Sequence, residues 1–465
     1  MTTLSYTLDF GDLGASGGGG RAVVACDGHA PLEQGYFADV GRIDGVFGMS
    51  LPDAAADLVA IAVAVHVADR AAPRRRHDRA DPYGLGWRRH LHLRVPVRDP
   101  RRWGGASLLQ GLQATLEYFT DDAWSFDFVG LAADEAPRQG YLFPHRPPNP
   151  AVALFSGGLD ALIGAADLLA SDARPTLIAL SAGTNRRTIG RQRELVAALG
   201  GRPGRGIRHV EVPCNLRATD VAEPTQRARG FVFLALAAAV AEQAGCATIA
   251  LCENGIGALS LPYNRTQVGA HTTRAAHPLA LDRMGRFLGA ALGRPIRIRN
   301  PYLFETKGQM CARLAGLGIA DLAARSVSCD TFASRRDGAG AHCGLCTSCL
   351  LRRLGLHAAG LAAVDARSGY AYDVTDPRGH ATEQQLLPLF SMLDQLGELR
   401  RCLRAATPWA RLAEAYPILE EIRRALEPVT DPRDGDVAQA LVRLLGTYAD
   451  EWHAFPVAAR ARLVG

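Results

Sequence analysis

The sequence lacks any apolar run long enough to cross a membrane. Its two longest runs, residues 58–68 and 231–241, fall short of the ~20 residues that a spanning helix needs. They predict two buried helices. Residues 1–11 also lack the basic flank and apolar stretch of a secretory signal, and Asp9 comes early, so we expect a cytoplasmic protein.

The sequence also lacks a strong excess of charge of either sign. Lys and Arg number 52 against 47 Asp and Glu, a net charge of +5 that neither demands nor excludes a polyanionic partner. The apolar and charged fractions are those of ordinary globular proteins. At ~150 residues per domain, 465 residues predict two or three domains.

No disulfide framework is expected in a reducing cytoplasm, so the ten cysteines favour metal or thiol chemistry. Four of them, Cys329, Cys343, Cys346 and Cys349, form the pattern C-x13-C-x2-C-x2-C. Four thiolates with no open position predict a structural Zn²⁺ site. An iron–sulfur cluster is the main alternative, because it uses the same ligands.

The chain divides by pattern into three parts. Residues 1–145 predict an N-terminal α+β domain, residues 150–357 an α/β domain that includes the four cysteines, and residues 358–465 a helical region. In the first part we predict strands over 3–10, 21–26, 90–97 and 124–129 and helices over 51–69 and 108–119. In the last part we predict helices over 384–405, 409–426 and 437–455.

From residue 151 onward, short apolar strands alternate with helices. The predicted strands are 151–155, 176–180, 207–212 and 248–252. Such alternation indicates a parallel sheet with helices on both faces. Because ligands bind beyond the carboxyl ends of such strands, we expect the site in the four segments that follow them, residues 156–160, 181–185, 213–215 and 253–257.

The sharpest local motif is Phe155-Ser156-Gly157-Gly158-Leu159-Asp160, between a strand and a helix. Its glycines allow successive backbone N–H groups to face one anion, and the helix N-terminus adds partial positive charge. We expect a phosphate there, with Asp160 holding a Mg²⁺ that bridges phosphates. The alternative is an ordinary turn capped by Asp160. No Lys-Ser/Thr pair ends the motif, which disfavours a γ-phosphate-transferring NTPase.

This motif resembles the pyrophosphatase loop (PP-loop) of the ATP pyrophosphatase superfamily, Ser-Gly-Gly-x-Asp-Ser. Ala161 replaces the last serine, so one hydroxyl contact is lost. The resemblance implies a HUP-type α/β fold and cleavage of ATP into an AMP-linked intermediate and pyrophosphate.

Together with the cysteine cluster, the motif resembles 7-cyano-7-deazaguanine synthase over about residues 150–357. The resemblance extends to residues 227–231 and to residues 302–308, which contain a Thr306-Lys307 pair. That family adenylates 7-carboxy-7-deazaguanine, uses ammonia to form an amide and dehydrates the amide to a nitrile.

The resemblance and the strand tips together suggest site residues. We expect Asp160, Lys307 and Arg274 to act in catalysis. We expect residues 155–160, Ser181, Arg227 and Arg229 to bind ATP or pyrophosphate, although surface salt bridges are an open alternative for the two arginines. Glu253, Asn254 and His271 are expected to bind substrate, with a solvated turn at Glu253 and a structural histidine as alternatives.

The front and tail regions, and the segments 253–257 and 271–278, depart from the synthase. Both segments resemble QueC-like proteins of bacterial antiphage systems (Qat and type IV CBASS). This resemblance implies that the activated acid is joined to a protein amine, with the front domain docking that partner.

Three alternatives to the protein-modifying ligase stay open from the sequence. They are a nitrile synthase that uses ammonia, a tRNA-modifying enzyme with Cys214 and Cys252 at strand tips, and a nucleotide-sensing scaffold. An arginine-rich stretch, residues 70–102, invites nucleic acid, but no RNA-binding motif accompanies it, so a partner-facing or solvated surface is favoured.

Overall fold

The computed structural model describes most of the chain. The described residues are 4–10, 20–26, 31–74, 87–131, 145–173, 175–183, 185–201, 206–216, 223–263, 274–332, 341–375, 381–427 and 436–457.

The front region is an α+β unit, as predicted. Its elements are β1 (Leu4–Phe10), β2 (Gly20–Cys26), β3 (Leu32–Ala38), α1 (Gly41–Phe47), α2 (Asp53–Ala71), β4 (Arg89–Val97), α3 (Pro100–Trp103), α4 (Ala106–Thr120) and β5 (Ala123–Gly130). No element was predicted for residues 31–50, because Gly35 interrupts the apolar alternation of β3 and α1 is short.

The middle region supplies the α/β elements. They are β6 (Pro150–Leu154), α5 (Leu159–Ala170), β7 (Thr176–Ala182), α6 (Arg186–Gly200), β8 (Ile207–Val212), β9 (Cys214–Leu216), α7 (Arg229–Ala244), β10 (Thr248–Ala250), α8 (Gly255–Leu259), α9 (Pro278–Leu292), β11 (Arg297–Arg299), α10 (Lys307–Gly316), α11 (Ala320–Ala323) and α12 (Thr347–Ala358).

The tail is helical, as predicted. Its helices are α13 (Ala362–Asp365), a 3₁₀ turn (Ala366–Ser368), α14 (Glu383–Leu403), α15 (Pro408–Ala415), α16 (Ile418–Leu426) and α17 (Val437–Ala454). The single helix predicted for residues 409–426 is wrong. The chain breaks at Tyr416 and Pro417, because a proline cannot donate the backbone hydrogen bond that a continuing helix requires.

The second sheet is fully parallel, in the order β11-β10-β6-β7-β8. Alternate side chains of its strands point to opposite faces. Val152, Ile178 and Val210 join the core on the α7 side, while Ala153 and Leu177 join a core with α5, α6 and α10. Helices therefore cover both faces, which confirms the prediction.

The first sheet has the order β5-β4-β1-β2-β3-β9, with parallel pairing of β4 to β1 and β5. Its edge strand β9 belongs to the middle region and pairs with β3 through Phe37 and Asn215. This mixed origin joins the front unit to the α/β unit by backbone hydrogen bonds.

The two longest apolar runs are buried helices, as predicted. Nearly every side chain of α2 is buried, and so is nearly every side chain of α7, which ends at Gly245 in the left-handed conformation. The two helices lie in one continuous core with both sheets, α4 and α9. The front unit thus shares its hydrophobic core with the α/β unit. In the described residues, no helix is both long and apolar enough to span a membrane.

Candidate active site and cysteine cluster

The candidate site lies where the strand order of the parallel sheet reverses. Strands β7 and β8 continue on one side of β6, and β10 and β11 lie on the other. The chain leaves β6 through Ser156 and leaves β10 through Glu253, so both segments emerge at the same carboxyl edge. Ligands of open α/β sheets bind at such a switch point.

The loop from Phe155 to Gly158, which is the predicted phosphate site, is held in place by side chains from two other elements. Gly157 has a φ of 80°, and a Cβ there would lie 3.1 Å from Gln192 Cγ, so the position favours glycine. Gln192 Nε2 donates to the carbonyl oxygens of Ser156 (3.0 Å) and Phe155 (3.3 Å). Ser181 Oγ donates to Phe155 O at 2.7 Å. Ser181 therefore supports the loop from β7.

Asp160 lies in the first turn of α5 and is almost completely buried. Lys307 Nζ is 2.8 Å from Asp160 Oδ1, and the Asn254 backbone and side-chain nitrogens donate to Oδ2 at 3.1 and 2.8 Å. Burial opposes ionisation of Asp160, but Lys307 and the hydrogen bonds with Glu253 and Asn254 outweigh it and lower its pKa to about 2. The structure thus brings Asp160 and Lys307 together as an ion pair, and Asn254 donates two hydrogen bonds to the carboxylate of that pair.

These contacts bear on the expected Mg²⁺. Both carboxylate oxygens of Asp160 already face nitrogen donors, and its side chain is 7% exposed. This arrangement does not fit a carboxylate that reaches out to a metal ion. That Asp160 holds Mg²⁺ stays a prediction from the motif.

Glu253 stands beside this pair. Asn254 Nδ2 donates to Glu253 Oε1 at 2.6 Å, and a side chain on Gly257 would collide with the same oxygen. Burial and the neighbouring Asp160 carboxylate raise the pKa of Glu253 well above its usual value. The protonated acid can therefore donate a hydrogen bond as well as accept one.

The four predicted cysteines converge in one cluster. Their Sγ atoms all lie within 4.8 Å of one another, and Cys343 Sγ is 3.8 Å from Cys349 Sγ. A tetrahedron with Zn–S bonds of ~2.3 Å has sulfur atoms ~3.8 Å apart. The backbone nitrogens of Cys343 and Cys346 donate to sulfur atoms of the cluster at 3.3 and 3.2 Å, as expected around thiolates. The residues fit a structural zinc ion.

The segment that leads into the cysteine cluster is hydrogen-bonded to the phosphate loop. Val327 N donates to Gly157 O at 3.0 Å, and Ser328 Oγ accepts from Leu159 N at 3.3 Å, just before Cys329. Ser328 and Gln192 are contacts of the phosphate loop that were not predicted from the sequence. Both reach the loop from segments distant along the chain, and only the position of Ser328 next to a predicted ligand was a signal.

The structure places Arg227 and Arg274 at the front unit. Arg227 Nη1 is 2.7 Å and Arg274 Nη1 is 2.8 Å from the two oxygens of Asp121. The two guanidinium groups also lie over the rings of Trp87 and Tyr118 respectively. Arg227 is a buried ion-pair partner, and its role in pyrophosphate binding stays a prediction.

The remaining predicted residues have separate surroundings. Arg229 opens α7 and lies over the Phe233 ring, so its phosphate contact is likewise a prediction. His271 lies outside the described residues. The nearby His277 caps α9, contacts the Tyr118 hydroxyl at 3.1 Å, and has its pKa lowered to about 4 by burial and by Arg274. His277 is therefore a structural cap.

The two cysteines at strand tips are buried thiols. Burial raises the pKa of Cys214 and that of Cys252 to about 12. Sulfur transfer requires an accessible thiolate. Their surroundings therefore argue against the thiolating alternative. In the same way, Arg74 and Arg89 from the arginine-rich stretch are buried against Asp122 and do not offer a surface for nucleic acid.

Comparison with known proteins identifies the α/β unit. The family model described as "Queuosine biosynthesis protein QueC" matches residues 205–360. The chain is 31% identical over 252 residues to a 7-cyano-7-deazaguanine synthase of Rhizorhabdus wittichii, covering 97% of that protein with 50% of this chain. It is 30% identical over 231 residues to 7-cyano-7-deazaguanine synthase 1 of Sphingopyxis alaskensis, covering 95% of it with 45% of this chain.

Proposed function

Because the chain belongs to the QueC family and has its PP-loop α/β fold and four-cysteine cluster, we propose that it adenylates a 7-deazaguanine carboxylic acid and transfers the acyl group to an amine of a partner protein. The observation that carries the proposal is the buried Asp160–Lys307 pair beneath the phosphate loop, at the sheet edge shared with Glu253. ATP use is common to QueC-like proteins. What we propose is the identity of the acid that is activated and of the amine that accepts the acyl group.

The first half-reaction forms a mixed anhydride. A carboxylate oxygen of the acid attacks the α-phosphorus of ATP, the bond to the bridging oxygen breaks, and pyrophosphate leaves. The Lys307 ammonium and the partial positive charge at the N-terminus of α5 are the positive groups that would stabilise the leaving pyrophosphate. Glu253, whose pKa is raised by burial and by the Asp160 carboxylate, would pair with the ring edge of a deazaguanine.

The second half-reaction forms an amide. An unprotonated amine attacks the acyl carbon, AMP leaves, and the nitrogen loses one proton. An amide made from ammonia keeps two N–H hydrogens and can lose water to become a nitrile. An amide made from a protein amine keeps one such hydrogen and cannot. The amine alone therefore decides whether the product is a nitrile.

The support for a protein amine is the extra chain around the QueC-like unit. The front unit shares its core with the α/β unit, and Asp121 of the front unit forms ion pairs with Arg227 and Arg274. A surface built this close to the α/β unit could select the amine that enters. The second candidate, a nitrile synthase that uses ammonia, is favoured by the identity to named synthases.

The experiment is intact-mass measurement of the protein and of the proteins encoded beside it, after incubation with ATP, Mg²⁺ and 7-carboxy-7-deazaguanine. A partner that gains the mass of the acid less one water supports the ligase. Free nitrile formed with ammonium, and no protein adduct, would favour the synthase. Asp160→Asn should abolish either product, and the exposed Asp172→Asn is the matched control.

A further inference from the structure

The C-terminal helix α17 reaches the segment that carries Lys307. Glu451 Oε1 accepts a short hydrogen bond from Thr306 Oγ1, although the two residues are separated by 145 positions. Thr306 is completely buried and precedes Lys307 directly. The tail therefore contacts the candidate site through this hydrogen bond.

Thr306 sets the start of α10. Its Oγ1 accepts from Gln309 N at 3.1 Å, and Gln309 Oε1 accepts from Thr306 N at 2.8 Å, which completes a capping box. The hydroxyl has one proton, and Glu451 accepts it. Thr306, Gln309 and Glu451 therefore form one hydrogen-bonded arrangement at the first turn of α10, where Lys307 lies.

Close backbone approaches leave this turn little room to shift. A Cβ on Gly308 would collide with the Glu451 carboxylate, and a Cβ on Gly355 of α12 would lie 2.7 Å from Lys307 Cγ. On the other side of the site, a Cβ on Gly255 would lie 2.6 Å from Leu444 of α17. Helix α17 thus packs against both segments that meet at Asp160.

We propose that Glu451 is a positioning residue, which holds Thr306 and so aims the Lys307 ammonium at the phosphate loop. The C-terminal helical region then controls the geometry of the site without touching substrate. A catalytic consequence rests on the proposed function, because that function gives Lys307 its role.

The test compares three substitutions of Glu451 in the full-length, zinc-loaded protein, by acid-dependent pyrophosphate release. Glu451→Gln keeps the reach and the acceptor oxygen and should stay within about twofold of wild type. Glu451→Asp keeps the charge but moves the acceptor oxygen out of reach of Thr306, and Glu451→Ala removes the carboxylate altogether. Both variants should lose about tenfold in kcat with little change in KM for ATP, as misplacement of a catalytic group predicts.

The exposed neighbour Asp450 supplies the matched control, since Asp450→Ala lies on the same helix. The proposal is overturned if Glu451→Ala and Glu451→Asp behave like Asp450→Ala. It is also overturned if Glu451→Gln is as slow as Glu451→Asp, because an acceptor oxygen within reach of Thr306 would then not be enough to keep the activity. Glu451→Asp and Glu451→Gln decide the case even if Glu451→Ala does not fold.

A second measurement does not depend on the proposed function. The shifts of the urea midpoint for Glu451→Asp and Lys307→Met should be less than additive when combined, because one acts through the other. Fully additive shifts would contradict positioning. If the wild type releases no acid-dependent pyrophosphate, the proposed function fails while this cycle still tests the link.

Discussion

At the residue scale, the site depends on a buried pair of opposite charges. Asp160 and Lys307 are each less than a tenth exposed and lie 2.8 Å apart. Burial alone would lower the pKa of Lys307, but the Asp160 carboxylate raises it, so the ammonium stays charged. Each charge is therefore stabilised by its partner.

Lys307→Met should destabilise the fold as well as remove activity. The substitution leaves a buried carboxylate without its partner, which costs about 3 kcal/mol or more in the free energy of unfolding. The double variant Asp160→Asn/Lys307→Met should lose less than the two single variants added together. Urea unfolding measures both quantities, and a loss under about 1 kcal/mol for Lys307→Met would show that the pair is not desolvated as described.

Glu451 makes stability depend on pH. Burial, opposed by the Thr306 hydrogen bond, raises its pKa to about 7 from the ordinary 4.5. Between these values the folded protein binds more protons than the unfolded chain, so this contribution is complete below pH 4.5 and is lost as pH rises through 7. Glu451→Gln should remove that loss, seen as a flatter melting temperature between pH 5 and 8. Parallel curves of melting temperature against pH for the wild type and Glu451→Gln would contradict this role of Glu451.

The residues that sequence could predict are those of local motifs. The phosphate loop is one short segment, and the four cysteines lie within another, so the residue spacing inside each segment indicates its chemistry. Gln192, Ser328 and Glu451 contact the site from separate elements. Such contacts depend on tertiary packing, and no local pattern marks them.

At the element scale, the cysteine segment and the phosphate loop form one unit. Val327 and Ser328 bond to Gly157 and Leu159 directly before the ligand Cys329. A zinc ion held by the four cysteines would fix the end of this segment, so we expect its removal to loosen the loop. The strand–loop–helix unit was predictable from its apolar strand and glycines, whereas β9 and β11 span three residues each and gave no alternation to detect.

We expect one zinc ion per chain and a loss of ATP affinity on its removal. Chelation or Cys343→Ser should lower the melting temperature and weaken ATP binding, because loop amides lose their support. Ser328→Ala should weaken ATP binding with zinc retained, at a cost of about 1 kcal/mol for the lost hydrogen bond. Elemental analysis with calorimetric titration measures these effects. Iron in place of zinc, or unchanged ATP binding in the metal-free protein, would contradict this arrangement.

At the scale of the whole molecule, the front and α/β units share one core. Helices α2 and α7 pack together, and β9 extends the front sheet. The sequence predicted both units and their classes, but it predicted a separate front domain. The pairing of β3 with β9 joins segments far apart in the chain, and sequence patterns do not report such long-range partners.

A chain that begins at residue 146 should therefore not fold stably by itself. Removing the front unit exposes apolar side chains of α7 and α9, such as Phe231 and Phe287, which contact the front aromatic residues Phe119 and Trp103. Co-expression of residues 1–145 should restore soluble protein. Size-exclusion chromatography tests this expectation. If residues 146–465 alone are soluble, unfold cooperatively and bind ATP, the α/β unit does not need the core that it shares with the front unit.

The most direct test of the central claim follows the oxygen atoms of the acid. With 7-carboxy-7-deazaguanine labelled by ¹⁸O in its carboxylate, adenylation followed by amide formation must leave one labelled oxygen in AMP. Mass spectrometry of the released nucleotide reads this whichever amine accepts the acyl group, and hydroxylamine can stand in for the natural amine. We predict ¹⁸O-labelled AMP with unlabelled pyrophosphate. Unlabelled AMP, or label in inorganic phosphate with ADP as the product, would contradict the account.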